Sequence, residues 1–455
     1  MDQERIESVM GRQIFDSRGN PTVEACVTLR DGTQACASVP SGASTGMYEA
    51  CELRDGGEAY GGKGVQQAVD NINAHICGAL NDMLVTNQQA IDTAMCAIDG
   101  TENKSRLGAN AILAVSLACA KAAARFCGMP FYRYLGGVNA VTLPVPMLNI
   151  LNGGAHASNN MDIQEFMIFP VGAESFSQAM RMAIETYAQL GKTLKERGLS
   201  TTVGDEGGYA PDLESDRQAL ELLMEAVERA GYRPGTDVRI ALDAAASEWK
   251  TENGYLMPKS ERYLTTKDVI AHFKKLAQDY PIQSMEDPLA EEDYDGFAKI
   301  TQEIGEQVQI VGDDLFVTNP HRLREGIAQG CANAILIKPN QIGTLSETME
   351  TVRLAKAYGY GTILSHRSGE TEDTSIADIA VALNAGQIKT GAPARTDRVC
   401  KYIGCWKLNA SSIKRRVLVS DHKSIREANR HTLCMGDLLF LVIFIYRIHD
   451  KAHKR

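Results

Sequence analysis

The sequence predicts an α/β fold, with strands closing into a barrel behind a smaller N-terminal domain. Two observations predict it. From Arg239 onward short apolar runs recur: RIALD, IQSME, VQIVGD, AILIK, GTILSH and GQIKT. The charged or polar residues that end them, Asp243, Glu286, Asp313, Lys338, His366 and Lys389, lie 43, 27, 25, 28 and 23 residues apart. Most of these gaps are near the roughly 30 residues of one strand–helix–strand unit. Runs of this kind read as strands buried on both faces. If parallel and closed, they bring their C-terminal ends to one rim, where barrel enzymes hold their chemistry. The second observation is size. At 455 residues, 44% hydrophobic and 23% charged, the chain accommodates one small domain and a barrel of ordinary size.

Residues 1–138 alternate strand-like and helix-like text. TVEACVTLRDGTQACASV reads as a hairpin turning at Asp31-Gly32. A loop of small residues, PSGASTGMYEA, follows. NAILAVSLACAKAAARFCG is Ala-rich with helical periodicity and stops at Gly128, a C-cap residue. Pro144 and Pro146 mark the passage into the second region. VPMLNILNGGAHA reads as a strand and a Gly-rich loop, and 174–197 reads as a helix. The alternation continues to about Arg398, so the barrel is expected over 139–402.

Residues 403–455 differ. They hold 11 Lys and Arg against 4 Asp and Glu, a net +7, so the rest of the chain carries −17 of the total −10. Their run LLFLVIFIY, Leu438–Tyr446, is nine residues long, about half of the roughly 20 needed to span a bilayer. A membrane role is therefore not expected. The overall acidic balance also disfavours nonspecific nucleic-acid binding. Eleven cysteines without C-x-x-C clustering, and a charged start without an apolar signal core, predict a cytoplasmic protein with reduced thiols.

Asp243, Glu286 and Asp313 on three strand ends offer hard oxygen ligands suited to Mg²⁺, although each alone reads equally as a helix cap. Lys338 follows AILI at a strand end. A buried lysine is a candidate general base or a structural ion-pair partner. Lys389 raises the same choice, so one lysine is the base and the other an anion clamp. Glu206, in VGDEGGYAP, is a candidate general acid whose protonation Asp205 would favour by repulsion; a plain polar turn explains it equally. His156, in NGGAHASNN, is ambiguous. Arg367 and Ser368, just past a strand end, suit a phosphate or carboxylate.

Eight motifs taken together resemble enolase: DSRGNPTVE, PSGASTG, GDEGG, EDP, GDDL, KPNQIGT, SHRSGETEDT and GQIKTGAP. The resemblance runs in order from about residue 5 to Tyr402. It implies an N-terminal α+β domain capping a modified (β/α)8 barrel, usually as a homodimer. It also implies reversible dehydration of 2-phosphoglycerate to phosphoenolpyruvate with two Mg²⁺. By resemblance Lys338 is the base and Glu206 the acid. Asp243, Glu286 and Asp313 hold one Mg²⁺, and Ser44 in the mobile loop helps hold the other. His156, Gln164, Glu165, His366, Arg367, Ser368 and Lys389 match substrate contacts. After Tyr402 the family's last barrel helix has no counterpart in the pattern IGCWKLNASSIKRRV, so that helix is expected to be lost. The basic end, with Lys451 and Lys454, supports an alternative: a poorly active enolase variant that binds plasminogen at the cell surface.

Overall fold

The structure, a computed structural model, describes residues 2–42, 45–157 and 159–410. The N-terminal hairpin forms as expected. Strands β1 (Ile6–Phe15), β2 (Pro21–Leu29) and β3 (Gln34–Ser38) make an antiparallel sheet in that order. Asp31 fixes the β2–β3 turn by accepting the N–H of Thr33 at 2.8 Å, the Asx arrangement that favours Asp there. Alternate residues Val23, Ala25, Val27 and Leu29 are buried. The helix Ala109–Phe126 packs on β2 and β3. It is long and apolar enough to cross a membrane, yet 83% of it is buried inside the protein, which makes it a core helix.

The remaining strands are β4 (Val145–Asn152), β5 (Glu165–Phe169), β6 (Arg239–Asp243), β7 (Lys250–Thr251), β8 (Gly254–Leu256), β9 (Tyr263–Leu264), β10 (Ile282–Glu286), β11 (Gln309–Gly312), β12 (Ala334–Ile337), β13 (Gly361–Ser365) and β14 (Gly386–Lys389). Strands β7 to β9 form a small separate sheet. The others close into a barrel in the order β4, β5, β6, β10, β11, β12, β13, β14. All six apolar runs are barrel strands. Strand β5 is antiparallel to both β4 and β6, while the other neighbours pair in parallel. Reversal has a direct consequence. The first residue of β5, Glu165, pairs with Asn152 and Asp243 at the far ends of β4 and β6. Its beginning therefore reaches the rim that the other strands reach with their C-termini.

Two expectations need correction. The last barrel helix is present: Thr396–Ala410 is helical, eight residues beyond Tyr402. Tyr402 and Cys405, three apart on one face, are buried, and the helix packs on helices Ser375–Ala382 and Phe176–Glu196. The segment Leu438–Tyr446 and the terminal lysines lie outside the described residues. The thiols are also not all reduced. Cys26 and Cys36 form a disulfide because the hairpin register sets them directly opposite each other, with Cα atoms 4.1 Å apart. That is the closer of the two antiparallel pairings, within side-chain bonding reach.

Candidate active site

The strand ends deliver their side chains into one cavity. It is lined by His156, Gln164, Glu165, Glu206, Asp243, Asp313, Lys338, His366, Arg367, Ser368 and Lys389, with Asp287 and Asp314 beside them. Glu286 joins through Lys389, whose Nζ donates to both its oxygens at 2.8 Å. Of the candidate catalytic, substrate and metal residues singled out from sequence, Ser44 lies outside the described residues.

Local sequence explains several placements. Pro339 disfavours helix at the residue before it, and Lys338 is held extended at φ −121°. Its ammonium therefore leaves the barrel wall at the rim, where it pairs with Asp313. Glu206 sits in a tight turn closed by Gly204 N–H to Gly208 O at 2.9 Å. Gly207 takes φ +83° there, which a side chain would resist. Ser368 Oγ donates to Glu206 at 3.2 Å, as does Asn149 Nδ2 at 3.1 Å.

The electrostatics divide the rim into two nests. In the first, Lys389 Nζ lies 3.1 Å from Glu165, 3.1 Å from Asp243 and 2.8 Å from Glu286. Burial alone would lower the lysine's pKa, but these carboxylates hold it well above the usual value. Burial and neighbouring carboxylates push Glu286 and Glu165 well above the ordinary range. In the second nest, burial opposes charge on both Lys338 and Asp313. Their mutual attraction outweighs it, raising the lysine and lowering the acid. Arg367 forms a bidentate pair with Glu49 of the N-terminal domain, at 2.9 and 3.0 Å.

Glu206 differs from the expectation of a protonated acid. Burial opposes its charge, but His366, His156 and Arg398 hold its carboxyl well below the usual range. Burial drives His366 down to about 4. That ring is neutral at pH 7, so the positive charge still acting on Glu206 there includes the buried guanidinium of Arg398. Glu165, within 3.6 Å of His156 Nδ1, is pushed the other way: burial and the neighbouring Glu206 hold its carboxyl well above the usual range.

Sequence reasoning missed Glu49, Asp287, Asp314 and Arg398. Asp287 accepts the N–H groups of Asp313 and Asp314 at 2.9 and 2.7 Å and so shapes the turn after β11. Both aspartates were visible in EDP and GDDL, motifs that drew attention to their neighbours. Glu49 had no local signal. Arg398 had one: it lies four residues before Tyr402, on a helical face that is otherwise core.

Acidic groups on the rim could hold a divalent cation: among the described residues Asp287, Asp313 and Asp314 come close enough to share one, as do Glu165 and Glu206 with His156. Asp243 and Glu286, on the adjoining strands, are not gathered with Asp313 into such a group and are held by Lys389 instead. Among the described residues eight carboxyls (Glu49, Glu165, Glu206, Asp243, Glu286, Asp287, Asp313 and Asp314) stand at this rim with Lys338, Arg367 and Lys389. Gln164 Oε1 is buried without a hydrogen-bond partner, another oxygen available to a cation or a substrate.

A capping α+β domain and a barrel rim crowded with acids, lysines and hard donors define a barrel enzyme of the acid–base kind. Known families place it further. The family described as "Enolase, N-terminal domain" matches residues 6–135, and that described as "Enolase, C-terminal TIM barrel domain" matches residues 140–412. The chain belongs to the enolase family.

Proposed function

We propose that this protein is a Mg²⁺-dependent enolase, interconverting 2-phosphoglycerate with phosphoenolpyruvate and water. The observation that carries the reading is the convergence of Lys338, Glu206 and three strand-end carboxylates on one cavity. A Lys or His base working with Mg²⁺ is the general pattern of the enolase superfamily and not a result of this structure.

The chemistry follows from the substrate. Its C2 proton lies beside a carboxylate, so removing it places a second negative charge on the same group. Lys338 takes that proton as the base in its neutral form, which requires that its ion pair with Asp313 be broken first. Lys389, held at the rim by its carboxylates, faces the developing charge. Two Mg²⁺, held by Asp243, Glu286 and Asp313 and by Ser44, would neutralise the substrate carboxylate as Lewis acids. Arg367 and Ser368 hold the phosphate. Hydroxide is a poor leaving group, and Glu206, in its protonated form, gives a proton to it. The C2–H and C3–O bonds break, the C2–C3 double bond forms, and water leaves.

The test separates base from acid. Lys338→Ala should abolish exchange of the C2 proton with deuterated solvent. Glu206→Gln should retain that exchange and lose phosphoenolpyruvate formation. Retained exchange in Lys338→Ala contradicts the assignment. A homodimer in the cytoplasm belongs to the same reading, and sedimentation and fractionation would check it. No observation among the described residues favours plasminogen binding.

A further inference from the structure

Arg398 is fully buried, and among the described residues its ion pair is with Asp397 and not with the acids of the rim. It rises from the first turn of the last helix, Thr396–Ala410. One guanidinium nitrogen meets His366 Nδ1 and also donates to the carbonyl of Arg367. The other donates to the carbonyls of Ser368 and, at 3.2 Å, Asp205. Asp397 lies 2.7 Å from its Nε. The guanidinium thus ties the loop after β13 to the turn that carries Glu206. Gly391, at φ +75°, lets the chain after β14 pass beside it. A Cβ there would come within 3.0 Å of Arg398 Cδ.

Arginine has donors only and does not lose its proton in proteins. Whatever it contacts at His366 must therefore accept. A neutral imidazole has one donor nitrogen and one acceptor. With Nδ1 committed as acceptor, the ring proton belongs on Nε2, which lies 3.4 Å from Glu206 Oε2. Such contacts are often long before substrate binds and tighten in the complex. The charged groups acting on the ring are Glu206, Arg398 and Glu370.

We infer that Arg398 is a positioning residue that fixes the Nε2–H tautomer of His366 and aims that proton at Glu206. The consequence for the reaction rests on the proposed enolase chemistry. The tautomer itself does not, because it exists without substrate. In this structure Nε2 is buried without a hydrogen-bond partner, 3.4 Å from Glu206 Oε2, so a ring locked as Nε2–H holds its one donor ready for the Glu206 carboxylate. It orients the carboxyl and steadies its charge after the proton has left.

The experiment is imidazole ¹⁵N NMR of the full chain labelled at histidine, without substrate, with His366→Gln to assign the signal. The expected spectrum has Nε2 protonated and Nδ1 bare throughout about pH 6 to 8. A protonated Nδ1 overturns the inference, whether or not the protein turns over 2-phosphoglycerate. Arg398→Met should mix the tautomers and lower kcat by about 100-fold, in the range of a general acid's contribution, with KM changed less than about threefold. Arg398→Lys, which keeps a donor, should restore the single tautomer. An Arg398→Met protein with the original tautomer and kcat contradicts the inference. Should that variant not fold, the wild-type spectrum still decides.

Discussion

Lys338 and Asp313 form a buried pair in which each keeps the other charged. Removing one partner strands the other, at a cost on the order of 3–5 kcal/mol. Lys338→Ala should therefore lose both turnover and thermal stability, and Lys338→Ala/Asp313→Asn should recover stability without activity. Melting curves and a kinetic assay together check this. The charged ends of the apolar runs made these residues legible, because a polar residue closing a buried strand must have a use or a partner. Glu49 and Arg398 were not legible in this way. Glu49 meets Arg367 from 318 residues away, and nothing near it in sequence announces the pairing. Gln164 and Glu165 escaped direct reading for another reason. They start a strand instead of ending one, and only the reversal of β5 brings them to the rim.

The loop carrying Gln164 and Glu165 is pinned by a neighbouring helix. Asp216, at the start of helix Asp216–Arg229, accepts the N–H groups of Asp162 and Ile163 at 3.0 and 3.2 Å. Burial, helped by the charge of Asp162, pushes its carboxyl up to about 7. The folded state thus binds a proton more tightly than the unfolded chain, whose Asp titrates near 3.9. The associated stability is complete below about pH 4 and is lost as pH rises through about 7. Asp216→Asn keeps the acceptor oxygen and cannot ionise. Its stability relative to wild type should improve between pH 4 and 8, by on the order of 4 kcal/mol at most. Denaturant melts at several pH values measure this; a parallel pH profile contradicts it. At this scale the sequence was generous. Six apolar runs became six strands, and the Asp31-Gly32 turn gave the hairpin. The same hairpin register contained the Cys26–Cys36 pair. Linear spacing does not reveal it, because the two cysteines stand ten residues apart and are opposed only across the paired strands.

Across the whole molecule the rim's carboxyls outnumber its cations, and the two domains meet there through Glu49 and Arg367. A divalent cation bound at such a rim should stabilise the fold by mass action, by about 2.7 kcal/mol at one hundred times its Kd. Mg²⁺ should raise the melting temperature by a few degrees, and chelator should reverse the rise. The last helix was the hardest part to read, because its text after Tyr402 departs from the family pattern while Cys405 still packs inward. A chain cut after Tyr402 should melt below one cut after Ala410, since burying one side chain of this kind is worth roughly 1–3 kcal/mol. The central claim concerns what the rim does. It is tested most directly by presenting 2-phosphoglycerate to folded, Mg²⁺-loaded full-length protein and following phosphoenolpyruvate. Formation that stops with chelator and returns with Mg²⁺ is predicted; no formation by protein shown to be folded and Mg²⁺-bound would contradict the account.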